Sequence, residues 1–321
     1  MGYSTGKELH VNMPLTNIAM AYQPKNNFGE LIAPIVTVQK QSDSYYIFSI
    51  AEAYAIEEDK RAPGTEANRI TRSVSSGTYF CKNYALKDNI PYEDIKNADV
   101  GILLMERAAR AQYIKDKLYL NWNYRVGLQC SSGSNVGSYS GVASNWSDGA
   151  TGKSDPYTDI ETAIENVVGV VGSDYRPNRI IFGATAWNLY RKHADIRTLI
   201  YGDGAGANGR IVTKEQVAAL HEVDQIIVAN PMYNSAQEGQ TASLSYVWNT
   251  SVLVYYAPMQ ASKEKPSFMY SFRWPVVADM QAEVHQLPLS KAEQVELGYY
   301  QDEKITASTL GFLITDVRSS V

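Results

Sequence analysis

The chain has 321 residues, 45% of them hydrophobic and 20% charged, with a formal net charge of −5. This composition is that of a folded protein with one large domain or two medium ones, and its positive residues are interleaved with acidic ones. Tight nucleic-acid binding needs clustered positive charge and is therefore not expected. Two distant cysteines, Cys81 and Cys130, and four scattered histidines offer neither a disulfide framework nor a metal site, so we expect no cofactor and no metal.

No apolar run approaches the roughly 20 residues that cross a bilayer. The polar segment Met1–His10 lacks the apolar core of a signal peptide. These two features predict a cytoplasmic product with no membrane partner.

Residues 1–40 mix polar turns with short apolar pieces. Pro14, Pro24 and Pro34 recur at intervals that break any helix longer than a few turns. We interpret this stretch as an extended arm that lies on a surface larger than itself.

A long hairpin is predicted next. Tyr45–Ile50 and Thr71–Tyr84 are strand-like, and between them lies a charged cluster, Glu57–Arg61, followed by Ala62–Gly64. An ordinary surface hairpin inside a compact domain fits the pattern equally well. The length of the hairpin and its few core-like residues favour a projection that docks on a neighbour.

A long amphipathic helix is predicted from Asn97 to Gly127, because apolar residues recur at spacings of three or four. Pro91 lies upstream and Gly127 is a fitting end. The other helix faces are predicted to carry the charged residues Glu106, Arg107, Arg110, Lys115, Asp116, Lys117 and Arg125.

Residues 129–156 are rich in Ser, Gly and Asn and are interpreted as a loop or weak strands. An α/β section follows, in which Thr213–Gln216 is a capping-box start for a helix through Leu220. The chain then becomes almost all β. The predicted elements are a helix around 160–171 that ends at Gly172, strand Arg179–Phe182, helix Ala184–His193, strand Asp224–Ala229, and strands Ser251–Tyr256, Phe268–Phe272, Glu293–Tyr300 and Ser308–Val317.

Two segments match phosphate-binding loop patterns, but the predicted elements around them do not fit such a loop. Gly149–Ser154 resembles the end of a Walker A loop, but Ser147 stands where the loop needs its first glycine, and no buried strand precedes it. Gly204–Gly209 matches G-x-G-x-x-G but follows a helical segment instead of a strand. No Gly-x-Ser-x-Gly elbow occurs. We therefore predict that the chain is not an enzyme.

The order of elements resembles the Hong Kong 97-type major capsid protein of tailed phages over essentially the whole chain. The similarity is carried by specific strings: Ala21–Lys25, Val38–Asp43, Arg61–Arg69, Thr78–Cys81, Tyr299–Ile305 and Leu310–Ile314. The resemblance implies an α+β fold of the Hong Kong 97 type. The implied divisions are an N-terminal arm (1–40), an extended hairpin loop (41–85), a spine helix with the start of a peripheral domain (86–150), an axial domain (151–260), peripheral return strands (261–307), and a C-terminal strand (308–321) joining the axial domain.

The resemblance further implies self-assembly into pentamers and hexamers that form an icosahedral shell around double-stranded DNA, in a virion assembled in the host cytoplasm. A separate scaffolding protein and a portal protein are expected partners, and a decoration protein is a further candidate. Inter-subunit contacts are expected at Glu57, Glu58, Asp59, Lys60, Arg61, Glu66 and Arg69. A capsomer-axis loop is expected at Gly202, Asp203, Gly204, Gly206 and Gly209.

Some members of the family cross-link a hairpin lysine to a neighbour. Lys60 lies near the corresponding loop, but no partner Asn or catalytic Glu can be assigned, so no covalent bond is predicted. Two alternatives stay open. One is a cellular nanocompartment shell of the same fold, and the other is a soluble nucleotide-binding α/β enzyme that uses the 202–209 loop.

Overall fold

The computed structural model describes residues 15–17, 27–48, 54–57, 59–61, 63–70, 74–97, 100–142, 145–146, 154–202, 210–237, 239–276 and 280–318. The α-helices within these residues are α1 (Gly29–Ile32), α2 (Tyr92–Asn97), α3 (Val100–Cys130), α4 (Pro156–Val171), α5 (Ala184–Tyr190), α6 (Ala194–Tyr201) and α7 (Lys214–Leu220). The strands are β1 (Ile35–Thr37), β2 (Ser42–Phe48), β3 (Val74–Phe80), β4 (Lys82–Pro91), β5 (Ser138–Gly141), β6 (Arg179–Gly183), β7 (Gln225–Ala229), β8 (Met232–Asn234), β9 (Leu244–Tyr246), β10 (Val252–Tyr255), β11 (Met269–Trp274), β12 (Gln281–Leu287), β13 (Ala292–Ile305) and β14 (Gly311–Thr315).

The chain forms two compact units. The first unit comprises residues 1–43, 79–126 and 271–304, and the second comprises residues 44–78, 127–270 and 305–321. Each unit therefore draws on segments far apart in sequence, and both contain helices and strands, as the predicted α+β class requires.

The first unit is built around the long strand β13. Its N-terminal half is hydrogen-bonded antiparallel to β12 on one side, with Val284 opposite Val295, and to β4 on the other, with Leu86 opposite Leu297. The sheet continues through β11 to β1, which runs parallel to β11. Much of β13 alternates between buried and partly exposed residues, which is the period-two pattern of a strand that buries one face.

Helix α3 supplies the matching apolar surface of the first unit. Ala111, Ile114 and Leu118 lie on one helical stripe and are buried against the sheet. Burying each large aliphatic side chain contributes about 1.5–3 kcal/mol, so this contact stabilises the unit. The buried sheet and arm residues in the same cluster are Leu15, Ile90, Met280, Ala282, Val295, Leu297 and Tyr299.

The second unit contains a five-stranded sheet in the order β5-β14-β10-β6-β7. Every residue of the central strand β10 is buried, as expected for a strand with neighbours on both edges and covered faces. Helix α4 packs on β14 and β10. It begins with Pro156 after an Asp155 cap, whose carboxylate accepts the Thr158 amide at 3.0 Å.

The last part of the predicted arm is built into the first unit. Phe28, Ile32, Val36 and Val38 are buried, so residues 27–38 belong to the core of the first unit. Strand β1 is held by β11, and the Gly29 amide donates to the buried Asn123 side chain at 2.7 Å. The prolines stop a long helix, but they do not prevent a short helix followed by a short strand. Residues 1–14 and 18–26 lie outside the described residues.

Several predicted boundaries also change. The strand predicted as Thr71–Tyr84 is two strands: β3 ends at Phe80, and β4 begins at Lys82 and pairs with β13. Helix α3 passes through Gly127 to Cys130, because an interior glycine costs only about 1 kcal/mol and the apolar stripe continues. Helix α5 ends at Tyr190, before the predicted His193.

Lys115 was predicted on a face of the long helix outside the apolar stripe, yet it is buried. Its side chain is buried in the first unit, with the ammonium 5.4 Å from the centre of the Tyr119 ring. Burial, together with the positive charge of Arg273, lowers the pKa of Lys115 to about 8.

Candidate inter-subunit surfaces

Strands β2 and β3 form a two-stranded ribbon, and within the described residues each is paired only with the other. Tyr45 lies across the ribbon on Gly77, where any side chain would overlap the tyrosine ring. Tyr46, the next residue along the strand, is 64% exposed. An isolated two-stranded ribbon is marginally stable in water, so this one gains little stability from its own sheet.

The base of the ribbon is anchored in the first unit. The Cys81 amide donates to Gln41 O at 2.9 Å, and the Gln41 side chain donates back to Cys81 O at 3.1 Å. Tyr79 stacks on Phe272 with ring centres 4.6 Å apart. Burial raises the pKa of Tyr79 to about 12, so its hydroxyl stays neutral.

The predicted inter-subunit residues lie in the segment between β2 and β3. Six of the seven are described, all of them are exposed, and none joins an ion pair among the described residues: Glu57, Asp59, Lys60, Arg61, Glu66 and Arg69. Glu58 lies outside the described residues. Two large apolar side chains flank the charges, Ile56 at 100% and Ile70 at 72% exposure. Exposed isoleucines beside mixed charge are the composition of an interface with an apolar centre and a polar rim.

The predicted capsomer-axis loop begins at Gly202, at the end of helix α6 in the second unit. This glycine has φ +79° and caps helix α6 through its amide, which donates to Thr198 O at 2.8 Å. Asp203, Gly204, Gly206 and Gly209 lie outside the described residues.

The two ends of this loop are held together by Tyr201. Its hydroxyl lies 2.9 Å from Ile211 O and 2.9 Å from Gln216 Oε1, and the Arg210 guanidinium lies over its ring. Leu199 and Ile211, beside this base, are both more than half exposed. The base of the loop is therefore fixed, and apolar surface is exposed around it.

Sequence reasoning missed a buried polar network in the first unit. Arg125 on α3 donates to Glu303 on β13 at 2.7 Å and to the Tyr299 hydroxyl at 3.3 Å. Gln301 donates to the same carboxylate at 2.9 Å and accepts from Arg273 Nε at 3.0 Å. The Arg125 guanidinium also lies 3.7 Å from the centre of the Tyr84 ring. The network bonds the long helix to its sheet.

Two further arginines of α3 are bonded to the same sheet. Arg107 donates to the buried Glu293 at 2.6 Å, and the more exposed Arg110 donates to Asp88 at 2.7 Å. These residues were predicted only to lie on the helix faces outside the apolar stripe. Their spacing gave no sign of the partners, which lie on other segments of the chain.

Two buried histidines lie in the second unit. His221 lies between Glu161, 2.5 Å from Nδ1, and the Tyr190 hydroxyl, 2.6 Å from Nε2. The Tyr157 ring stacks on it at 5.2 Å. Burial lowers the pKa of His221, and the hydrogen bond to Glu161 opposes this. The neutral ring therefore links helix α4 to the ends of helices α5 and α7.

His193 forms a trio with Ser154 and Asp195 that has the residue types of a serine hydrolase. Nε2 of His193 lies 2.9 Å from the Ser154 hydroxyl, but Nδ1 accepts the Asp195 backbone amide at 3.4 Å and caps helix α6. The Asp195 carboxylate is 3.6 Å from Nδ1, beyond hydrogen-bond length. A ring whose Nδ1 accepts carries its proton on Nε2 and donates it to Ser154, so it cannot act as the base that activates this serine.

No group of three or more His, Cys, Asp or Glu among the described residues could hold a metal ion. None of the described helices combines the length and the apolar character needed to cross a membrane.

Two phage proteins are similar to this chain over nearly its whole length. The major capsid protein of Pseudomonas phage JBD67 is 25% identical over 317 residues, which cover 94% of this chain and 95% of that protein. The major capsid protein of Burkholderia phage BcepMu is 25% identical over 322 residues, covering 96% of each. No protein-family model matches the chain.

Solved structures show the same similarity at the level of the fold. A phage-related protein from Bordetella bronchiseptica RB50 superposes with a TM-score of 0.75 at 19% identity, covering 96% of this chain and 97% of its own. The capsid of cyanophage P-SCSP1u gives a TM-score of 0.56 at 13% identity, covering 98% and 92%. The predicted Hong Kong 97-type capsid fold is therefore confirmed. The two relatives support a phage capsid shell role over the nanocompartment shell and the nucleotide-binding enzyme.

Proposed function

We propose that this chain is the major capsid protein of a tailed phage and assembles through pentamers and hexamers into an icosahedral shell around double-stranded DNA. The observation that carries the proposal is the similarity to phage major capsid proteins, which spans 94% or more of the chain. The mixed acidic composition suits a container that holds DNA without binding it tightly.

The ribbon and its charged tip would contact a neighbouring subunit. Ile56 and Ile70 would lose water there, and the charges from Glu57 to Arg69 would set the register. Rim charges of this kind contribute more to orientation and association rate than to affinity. A subunit that makes several modest contacts is then held by multivalency, so no covalent bond from Lys60 is needed.

The loop that begins at Gly202 would lie near the local symmetry axis of each capsomer. At that axis, one sequence must pack in both pentamers and hexamers, and glycine allows the backbone conformation to differ between the two kinds of capsomer. The closed base at Tyr201 would confine that difference to the loop. In this assignment, the five-stranded sheet of the second unit is the core of the axial domain, joined by the C-terminal strand. The sheet of the first unit, with α3 as the spine helix, is the peripheral domain.

The expected partners are a separate scaffolding protein, a portal protein and further copies of the chain, with a decoration protein as an additional candidate. Assembly is expected in the host cytoplasm and the product in the virion. None of these steps requires a catalytic group, a metal or a cofactor.

The proposal is tested by expressing the full chain with and without the scaffolding protein of its phage, followed by sedimentation and negative-stain microscopy. Closed shells are expected. A chain that stays a free subunit at high concentration, with the scaffolding protein present, would overturn the proposal.

The role of the ribbon is tested separately by limited proteolysis. The free subunit should be cut between Glu57 and Glu66, and the shells should resist, because docking covers the segment. Reversing Lys60 and Arg61 to glutamate should slow assembly, whereas reversing the exposed Lys192 of the second unit should not. Equal cutting in both states would contradict a docking role.

A further inference from the structure

A small notch lies at the C-terminal end of helix α4 in the second unit. Gly172 ends the helix with φ 84° and ψ 169°, a backbone conformation open to glycine and strained for other residues. Its missing side chain leaves room that is filled by the ring of Tyr54, since a Cβ at this position would overlap the ring. Asp174, two residues further on, accepts the Tyr54 hydroxyl at 3.2 Å. The notch therefore matches a tyrosine in both shape and hydrogen bonding.

The tyrosine that fills the notch belongs to the segment between β2 and β3. Every described residue of this segment is exposed, and Tyr54 itself is 45% exposed. One such contact is worth about 1 kcal/mol, the net value of a typical hydrogen bond. A segment held this weakly can leave the notch when neighbouring subunits offer more contacts.

We propose that the notch formed by Gly172 and Asp174 is a receiving site for Tyr54 of a second copy of this chain, filled by the chain's own Tyr54 in the free subunit and by a neighbour's in the shell. The inference rests on the proposed shell function. Exchange of an identical element between copies preserves each contact while linking the chains, so it has a low free-energy cost. In the free subunit the tether favours the chain's own tyrosine; in the shell the neighbour's tyrosine is held at high effective concentration.

The exchange can be detected by zero-length cross-linking with a carbodiimide. A lysine at position 54 has nearly the reach of tyrosine, and its amine attacks the activated Asp174 carboxyl to form an amide while the urea leaves. In the free Tyr54→Lys subunit, this amide should join two peptides of one chain. The same variant with Asp174→Asn is the matched control and should give no such product.

Mixed shells distinguish a contact between two copies from a contact within one copy. One chain carries Tyr54→Lys together with Asp174→Asn, and the co-expressed partner is the unmodified chain, so a 54–174 amide can form only between copies. We expect a dimer band on denaturing gels and the 54–174 cross-linked peptide by mass spectrometry. Mixed shells without that peptide would overturn the exchange alone, whereas failure of the unmodified chain to form shells would overturn the proposed function itself.

A second measurement does not depend on the lysine variant. Tyr54→Ala should lower the temperature at which shells dissociate by several degrees, whereas the free subunit should lose no more than the roughly 1 kcal/mol of its own Tyr54 contact. Tyr139→Ala, at a tyrosine of β5 that is 63% exposed, is the matched control. Shells of Tyr54→Ala that dissociate at the wild-type temperature would contradict the exchange.

Discussion

Replacing Arg125 by methionine tests whether the buried polar network fixes the long helix on its sheet. The change keeps the aliphatic stem and removes the bonds to Glu303 and Tyr299. The Glu303 side chain is only 3% exposed, so its charge would remain buried with Gln301 as its remaining partner in the network. Breaking a buried pair in this way costs about 3–5 kcal/mol, and we expect about 3 because the guanidinium is partly hydrated.

Removing the charge of the partner carboxylate should cost less stability than removing Arg125. Glu303→Gln leaves Arg125 without its carboxylate, but the Arg125 side chain is 24% exposed and its guanidinium still lies on the Tyr84 ring, so about 1–2 kcal/mol is expected. The double variant removes both charges and should be destabilised by less than the sum of the two single changes. The resulting coupling energy should be about 2 kcal/mol.

The assay is urea unfolding of the free subunit, followed by hydrogen exchange of peptides from residues 281–304, which report on the first unit alone. The matched control is the Arg110–Asp88 pair, in which both side chains are about a third exposed and the expected coupling is below about 1 kcal/mol. Additive effects of Arg125→Met and Glu303→Gln would refute the network as a coupled element.

The second unit should lose stability in acid, because burial holds the pKa of His221 and His193 below the ordinary 6.5. The unfolded chain then binds more protons than the folded chain, so the stability contributed by the two neutral rings is complete above pH 6.5 and falls as the pH drops below it. His221→Gln should make the free energy of unfolding, measured by urea titration, depend less steeply on pH. An unchanged dependence would contradict the assignment. Gly77→Ala should destabilise the ribbon by displacing the Tyr45 ring, measured as faster hydrogen exchange of residues 42–48, and unaltered exchange would argue against that packing. Ser154 should not react with a fluorophosphonate probe, since His193 donates to its hydroxyl; labelling that is lost in Ser154→Ala would instead reveal an activated serine.

The sequence predicted those elements of the fold that depend on residues close together in the chain. The capping box of helix α7 is present as predicted, with Thr213 accepting the Gln216 amide and Gln216 accepting the Thr213 amide. The apolar stripe of α3 and the short buried strands β6, β7 and β10 were likewise found near their predicted positions. In each case, the determining residues lie within one or two turns of each other.

Long-range pairing could not be predicted. Arg125 and Glu303 are separated by 178 positions, and neither residue's neighbours indicate the other. The burial of Lys115 could not be predicted either, because burial depends on which face the sheet covers, and helical periodicity alone does not fix that. The notch at Gly172 was interpreted only as a helix end, since its second role depends on a tyrosine more than a hundred residues away.

The closed base at Tyr201 has a consequence for engineering. Because the hydroxyl of Tyr201 already joins the chain on both sides of the glycine loop, a foreign peptide inserted between Gly202 and Arg210 would add length without separating the two ends. Each doubling of loop length costs only about 0.6 kcal/mol in closure entropy. The second unit should therefore fold with epitopes of ten or twenty residues at this position, and a shell built from such chains would display one copy per subunit.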